Sequence, residues 1–231
     1  MTGSYDALLA RLGHQFSDRD LIRVALTHRS VGPCNNERLE FLGDSLLNCI
    51  IAAELFRLRP ELPEGDLSRL RATLVRGTTL AEVAGELELP ALLIMGPGEL
   101  RTGGFQRHSI QADAVEALLG AVYLDGGFDA CRTVVLTLFA QRLASLPSVA
   151  TLKDPKTRLQ EWLQGRGEPL PLYELVSSDG KSHERVFTVR CVVEACNVSS
   201  EASGTSRKNA EQTAAEEALN SLLSRRKRAG S

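Results

Sequence analysis

Apolar residues recur every three or four positions through most of the first two thirds of the chain, from Ser17 to about Leu146, which is the period of an amphipathic helix. Segments such as "DRDLIRVALTH", "EGDLSRLRATLVRGTTLAEVAGEL" and "QADAVEALLGAVYLDGG" carry the pattern, and Gly and Pro mark the breaks between them. An all-α region is expected there. Around "SLPSVATLKDPK" the rhythm gives way to Pro, Ser and Thr, and a different architecture follows. "KTRLQEWLQGRG" predicts a helix ending near Gly165 and "LYELVSS" a strand. In "ERVFTVRCVVEA" the alternation of Phe187, Val189, Cys191 and Val193 predicts a strand with one buried face. "SRKNAEQTAAEEALNSLL" predicts a closing helix, with Ala210, Ala214, Ala215 and Ala218 as a small-residue face that can lie close on a sheet. The expected fold is an all-α N-terminal domain over 1–148, a linker over 149–154, a small α+β domain of order α-β-β-β-α over 155–224, and a basic tail over 225–231.

Composition changes this picture little. The 231 residues are 43% hydrophobic and 24% charged, ordinary values for a soluble chain. The start, "MTGSYDALLARLGHQF", has no basic leader followed by an apolar run, and no stretch reaches the length of a membrane span, so a cytoplasmic protein without a membrane partner is expected. Five scattered cysteines without a CxxC pair argue against a disulfide framework or a zinc knuckle. The net charge of -2 is unevenly divided: residues 1–150 hold 14 Arg and no Lys against 18 Asp and Glu, whereas the remainder holds 13 basic residues against 11 acidic ones. Bulk charge therefore makes no case for a polyanionic partner, and any such case must come from placed residues.

The informative placement is acidic. In "NERLEFLGDSLL" Glu37, Glu40 and Asp44 fall at successive offsets of three and four, which puts like charges on one helical face, where they repel. Arg38 is the nearby cation and points elsewhere. A second pair, Asp113 and Glu116 in "QADAVEALLG", is spaced i, i+3 on a helix whose other face, Val115, Leu118, Leu119 and Val122, is apolar. If the two helices cross, Glu40, Asp44, Asp113 and Glu116 converge. Hard oxygen ligands without His or Cys suit Mg2+, with Mn2+ as substitute, rather than zinc. A hydrated cation of this kind activates water and offsets the charge that develops when a phosphodiester is hydrolysed. Gly43 would let a backbone or a substrate come close. Glu64 in "PEGDLSR" is read as an acid at a helix N-terminus, with an outer ligand role as the alternative. His28 and His108 are read as packing or capping residues, and the Gly-rich "GPGELRTGGFQRHS" as a connector.

These residues carry a resemblance. "NERLEFLGDSLL" is similar to the signature of the ribonuclease III family, and "GPGELRTGGFQRHSIQADAVEALLGAVYLD" resembles that family's second acidic segment, with Gln111 where an apolar residue is usual. The resemblance implies a helical endonuclease domain that forms a homodimer, binds Mg2+ and cuts both strands of double-stranded RNA, leaving 5′-phosphate and 3′-hydroxyl ends. It implies Glu40, Asp113 and Glu116 as metal ligands, Asp44 and Glu116 as essential catalytic acids, and Glu37 and Glu64 as secondary acids. Phe41 would pack across the dimer interface, although a Phe at such a place also reads as ordinary core. No small-molecule cofactor is implied. The implied substrates are precursors of ribosomal RNA with some messenger and transfer RNA transcripts.

In the second domain Arg207 and Lys208 lie in the first turn of the closing helix, after the candidate caps Thr205 and Ser206, where the helix dipole disfavours cations. An anion such as phosphate is expected there. Thr157, Gln160 and Glu161 make a short polar patch on the other helix. With His183 in "SSDGKSHER" and the run "RKNA", the segment resembles the double-stranded-RNA-binding domain. That likeness implies Thr157, Gln160 and Glu161 on one minor groove, His183 on the next, and Arg207 with Lys208 on the phosphates between. Two rivals are a duplex-RNA binder that does not cut and a hydrolase of another phosphodiester such as DNA; the full acid set argues against the first and the second domain against the other.

Overall fold

The computed structural model describes residues 5–148, 152–180 and 185–229, the last four of these as backbone alone. The chain divides into two compact units, Met1–Pro147 and Ser148–Ser231.

The first unit is helical: α1 (Asp6–Leu12), α2 (Arg19–Ala25), α3 (Glu37–Leu58), α4 (Glu64–Val75), α5 (Gly77–Glu86), α6 (Pro97–Arg101), α7 (His108–Leu138) and α8 (Ala140–Ala144). Asp18 caps α2 by accepting from the Asp20 N–H, and Gly13 closes α1 in the left-handed conformation at φ 71°. The long helices α3 and α7 form the core of the unit. Leu47, Ile51 and Leu55 of α3, and Val115, Leu118, Leu119 and Val122 of α7, are buried, as the apolar spacing of both segments requires.

Two glycines set how closely these helices cross. A Cβ at Gly43 would lie 1.7 Å from the carbonyl oxygen of Glu116, and one at Gly120 would lie 2.3 Å from that of Leu39. The close approach anticipated at Gly43 is thus made by protein backbone, and it brings the start of α3 against the start of α7. Farther along, Gly127 leaves the helical path at φ 77°, but the chain resumes helical geometry and α7 continues to Leu138. The kink is tied down by Asp125, whose carboxylate accepts from the N–H groups of Ser17 and Asp18 and lies 2.9 Å from His14 Nε2.

The second unit contains α9 (Pro155–Gln164), β1 (Leu172–Asp179), β2 (Val186–Val193), β3 (Val198–Gly204) and α10 (Arg207–Ala229). The strands form an antiparallel sheet in the order β1-β2-β3. Val189, Cys191 and Val193 face inward as the alternation predicts, while Phe187 at the strand's start is half-buried. The inner face packs on Leu159 and Leu163 of α9 and on Ala214, Ala215 and Ala218 of α10. Asp154, expected in the linker, is the N-cap of α9. The expected separate tail at 225 is a continuation of α10, and Arg225 Nη1 donates to the carbonyls of Cys196 and Asn197 at 3.2 and 3.1 Å.

Candidate active site and nucleic-acid interface

Because α3 and α7 cross at the two glycines, side chains from their N-terminal halves meet. One oxygen each of Glu40, Asp113 and Glu116 lies within 4.8 Å of the other two, and all three side chains are half-buried. Asp44 stands one turn along α3 from Glu40, exposed, with Asn48 Nδ2 donating to its Oδ1 at 2.8 Å. Its negative charge acts on both Glu40 and Glu116.

The electrostatic consequence is uniform in sign. Burial, followed by repulsion from Asp44, Asp113 and Glu40, pushes the Glu116 carboxyl up to about 8. Burial also raises Asp113. Burial, then Asp113 and Glu37, raises Glu40. Three carboxyls that resist ionisation beside one another fit a divalent cation, which would replace the missing water and reverse the repulsion. Oxygen donors alone suit a hard ion such as Mg2+.

Other candidates fall in different places. Glu37 sits on the rim of a cleft of about 370 Å³ that also contains Glu40 and Asp113. Glu64 does not join the triad: it accepts from Ser68 Oγ at 2.7 Å in the first turn of α4, beside Phe56, Leu67 and Arg71. The helix-terminal reading of Glu64 matches that position. His28 bonds Ser30 through Nδ1, but it also lines the cleft, which its reading as a capping residue did not anticipate. Gln111 donates to the Phe105 carbonyl at 2.8 Å and fastens the preceding loop. Phe41, between the acids, is 78% exposed and belongs to no core of its own unit.

Sequence reasoning left out three residues of this site. Arg29, in the loop between α2 and α3, lies 3.6 Å from Glu37 and draws Glu40 and, with His28, Asp113 downward, so the acids are less isolated than Arg38 alone implied. Glu99 and Arg107, ion-paired at 2.8 Å, come from the Gly-rich segment read as a connector. That segment holds α6 and a 3-10 turn at Gly104–Gln106, and it forms one wall of the cleft. Nothing periodic marks these residues, because Glu99 sits in the five-residue α6 and Arg29 and Arg107 come from the segments between helices.

In the second unit Ser206 caps α10, accepting from the Asn209 N–H at 3.1 Å. Arg207 is exposed and already has an intrachain partner: its Nε donates to Glu211 Oε1 at 2.9 Å, and the other oxygen of Glu211 accepts from Lys156 Nζ at 2.6 Å. Lys208 is exposed. Thr157 Oγ1 donates to Asp154 at 2.8 Å, Gln160 is exposed, and Glu161 pairs with Lys153 at 2.8 Å. His183 lies outside the described residues. The described members of the polar patch and the basic first turn therefore belong to α9 and α10, two helices joined through Lys156 and Glu211.

Comparison with known proteins gives these two units counterparts. A family model described as ribonuclease-III-like matches residues 18–143, and one described as the double-stranded RNA binding motif matches residues 155–222. Ribonuclease 3 of Vibrio atlanticus is 52% identical over 222 residues, 96% of this chain and 99% of that one. Ribonuclease 3 of Alkalilimnicola ehrlichii is 54% identical over 223 residues, 96% of this chain and 98% of the relative. Among solved structures, the nuclease domain of ribonuclease III from Campylobacter jejuni superposes with a TM-score of 0.60 at 38% identity, covering 62% of this chain and all of that one; that structure is described as flexible in a region involved in dimer formation.

Proposed function

The chain belongs to the ribonuclease III family of endoribonucleases, and on that premise we propose that it hydrolyses both strands of double-stranded RNA with Mg2+, leaving 5′-phosphate and 3′-hydroxyl ends. The observation that carries this reading is the convergence of Glu40, Asp113 and Glu116 within 4.8 Å across a glycine-tight helix crossing. These three carboxylates are the ligands we assign to the cation, with Mn2+ as a substitute. When bound, the ion supplies an acidified water and neutralises charge at the scissile phosphate.

The protein's own residues supply position and proton traffic. The backbone contact at Gly43 fixes the spacing of the acids, which keeps the three oxygens within reach of one small ion. We assign Asp44, exposed and outside the triad, the role of accepting a proton from the attacking water. Burial and its acidic neighbours push the Glu116 carboxyl up to about 8, and a cation held by the three acids would favour its ionised form. Glu37 is assigned a secondary role at the rim of the cleft. Glu64 is assigned one only if a second copy of the chain or the RNA brings it near, because it stands apart from the triad.

We assign duplex recognition to the second unit. Gln160, Thr157 and Glu161 would meet one minor groove, His183 the next, and Arg207 with Lys208 the phosphates between them. Phe41 is assigned to a homodimer contact, supported by the exposure of a large apolar ring between acids. The proposed substrates are duplex segments of ribosomal RNA precursors and of some messenger and transfer RNA transcripts, met in the cytoplasm.

A denaturing gel of end-labelled duplex RNA tests the reading, with Mg2+ or EDTA and with single-stranded RNA and duplex DNA alongside. Cutting of duplex RNA alone, in Mg2+ alone, is expected. Cutting in EDTA, or equal cutting of duplex DNA, contradicts it.

A further inference from the structure

The two helices of the second unit are fastened to each other at one end, between the residues assigned to the minor groove and those assigned to the phosphates. Glu211 and Gln212, on the second turn of α10, both reach the start of α9. Glu211 Oε2 accepts from Lys156 Nζ at 2.6 Å, and Gln212 Oε1 accepts from the Lys156 backbone N–H at 3.1 Å. Gln212 Nε2 donates to Asp154 Oδ1 at 3.1 Å. The same Asp154 carboxylate accepts from the N–H of Thr157 at 3.0 Å and from its hydroxyl at 2.8 Å. On the other side Glu211 Oε1 accepts from Arg207 Nε at 2.9 Å. An acid and the amide next to it thus connect Thr157 on one helix to Arg207 on the other.

Packing alone does not set that distance. Leu159 and Leu163 of α9 share a core with Ala214, Ala215 and Ala218 of α10. Apolar contact is non-directional, and a face of methyl groups makes shallow ridges past which a helix can slide. Hydrogen bonds are directional. The Glu211 side chain is 14% exposed, and Lys156 is held from two sides, its ammonium also lying 4.3 Å from the centre of the Tyr173 ring. Arg207 is 58% exposed, so its guanidinium is steered at Nε and still open to solvent. Thr157, which spends its hydroxyl hydrogen on Asp154, keeps lone pairs that a 2′-hydroxyl can donate to. We propose that Glu211, with Gln212 and Lys156, is a positioning residue for duplex RNA: this clasp fixes the separation between the α9 residues on the minor groove and the first turn of α10 on the adjoining phosphates. The assignment rests on the duplex-RNA reading above, and it accounts for an acid kept beside a basic turn that meets a polyanion. Glu211 reaches the RNA only through Arg207 and through the placement of α9.

The test is duplex-RNA binding by the whole chain in EDTA, where the duplex stays whole, with thermal melting of each variant alongside. Bulk electrostatics and positioning predict opposite signs. Glu211→Gln removes a negative charge from beside a polyanion and should tighten binding if charge alone matters. The clasp predicts binding about fivefold weaker, the weight of one hydrogen bond lost through misalignment. Glu211→Asp keeps the charge but shortens the reach, and should weaken binding too, while both variants melt close to the wild type. Lys156→Met should show a similar loss with the slope of log affinity against log salt unchanged, because Lys156 holds Glu211 and not a phosphate. Combined with Glu211→Gln, it should lose no more than the larger single variant, since both break the same clasp. Unchanged or tighter binding by Glu211→Gln, additive losses, or a slope shallower by roughly 0.7–0.9 in Lys156→Met would overturn the clasp and leave the proposed function standing. A wild-type protein that does not bind duplex RNA would overturn both.

Discussion

Glu211 and Glu116 are both half-covered glutamates on long helices, and their surroundings treat them in opposite ways. Glu211 has a cation on each oxygen, Lys156 at 2.6 Å and Arg207 at 2.9 Å, and those partners hold its carboxyl below the ordinary value. Asp154, exposed at the start of α9, is also held low: partial desolvation pushes its carboxyl up, but donors from Thr157 and Gln212 outweigh it. Glu116 makes no ion pair among the described residues, and burial with three acidic neighbours pushes it up to about 8. The acids of the second unit complete its structure. Those at the α3 and α7 crossing are left in conflict, which a folded protein tolerates where something outside the chain resolves it.

The largest disturbance of this contrast should come from Gly43→Ala. The new methyl would strike the Glu116 carbonyl, backbone that cannot swing aside, and overpacking of this kind costs about 1–3 kcal/mol or more. Thermal melting should fall by about 2–4 °C for each kcal/mol, and cleavage should disappear because the acids part. Glu116→Gln should be as damaging to cleavage but harmless to structure: duplex binding by gel shift is expected to persist while cutting is lost. Next in size is Arg207→Ala with Lys208→Ala. Duplex binding should weaken, and the slope of log affinity against log salt should become shallower by roughly 0.7–0.9 for each phosphate contact removed.

The pH dependence sharpens the comparison further. Without metal, the folded state holds the Glu116 proton between the ordinary glutamate value near 4.5 and about 8, while the unfolded chain releases it. Native protein therefore binds more protons than unfolded protein in that window, and the contribution of Glu116 to stability declines as pH rises through it. Glu211 has the reverse sign: its contribution is present above the ordinary glutamate value and is lost in acid. In EDTA, melting of the wild type should drop between pH 5 and 8 relative to Glu116→Gln, and the gap should close with Mg2+. The smallest effect is expected from Glu211→Gln, whose ion pairs are partly exposed and worth up to about 1 kcal/mol each. Its signature is a lost acid-side destabilisation.

Much of this is written in local spacing. The offsets of Glu37, Glu40 and Asp44, and of Asp113 and Glu116, are enough to put acids on one face of each helix, and Gly43 among them marks a close approach. The sheet face of Val189, Cys191 and Val193 is equally legible. Arg29, Glu99 and Arg107 are not, because their positions depend on loop paths fixed by contacts such as the Ser30 hydroxyl on the Gly96 N–H. The helical continuation past Gly127 is hidden for a related reason: the glycine does break the path, but the N-terminal segment holds the kink through Asp125. One signal is plain in the sequence yet easily passed over. Arg207 and Glu211 stand four apart in "RKNAE", the spacing of a helical ion pair, so the supposed vacancy for an anion already has a partial occupant.

The central claim is that the carboxylates at the α3 and α7 crossing hold a cation in competition with protons. Calorimetric titration of the metal-free protein with Mn2+ at about pH 6.5, between the ordinary glutamate value and that of Glu116, in two buffers of different ionisation enthalpy, tests it most directly. The account predicts saturable binding with net proton release in the wild type, and weaker binding with that release lost in Glu116→Gln. Binding that releases no protons, or that is indifferent to Glu116→Gln, would contradict it.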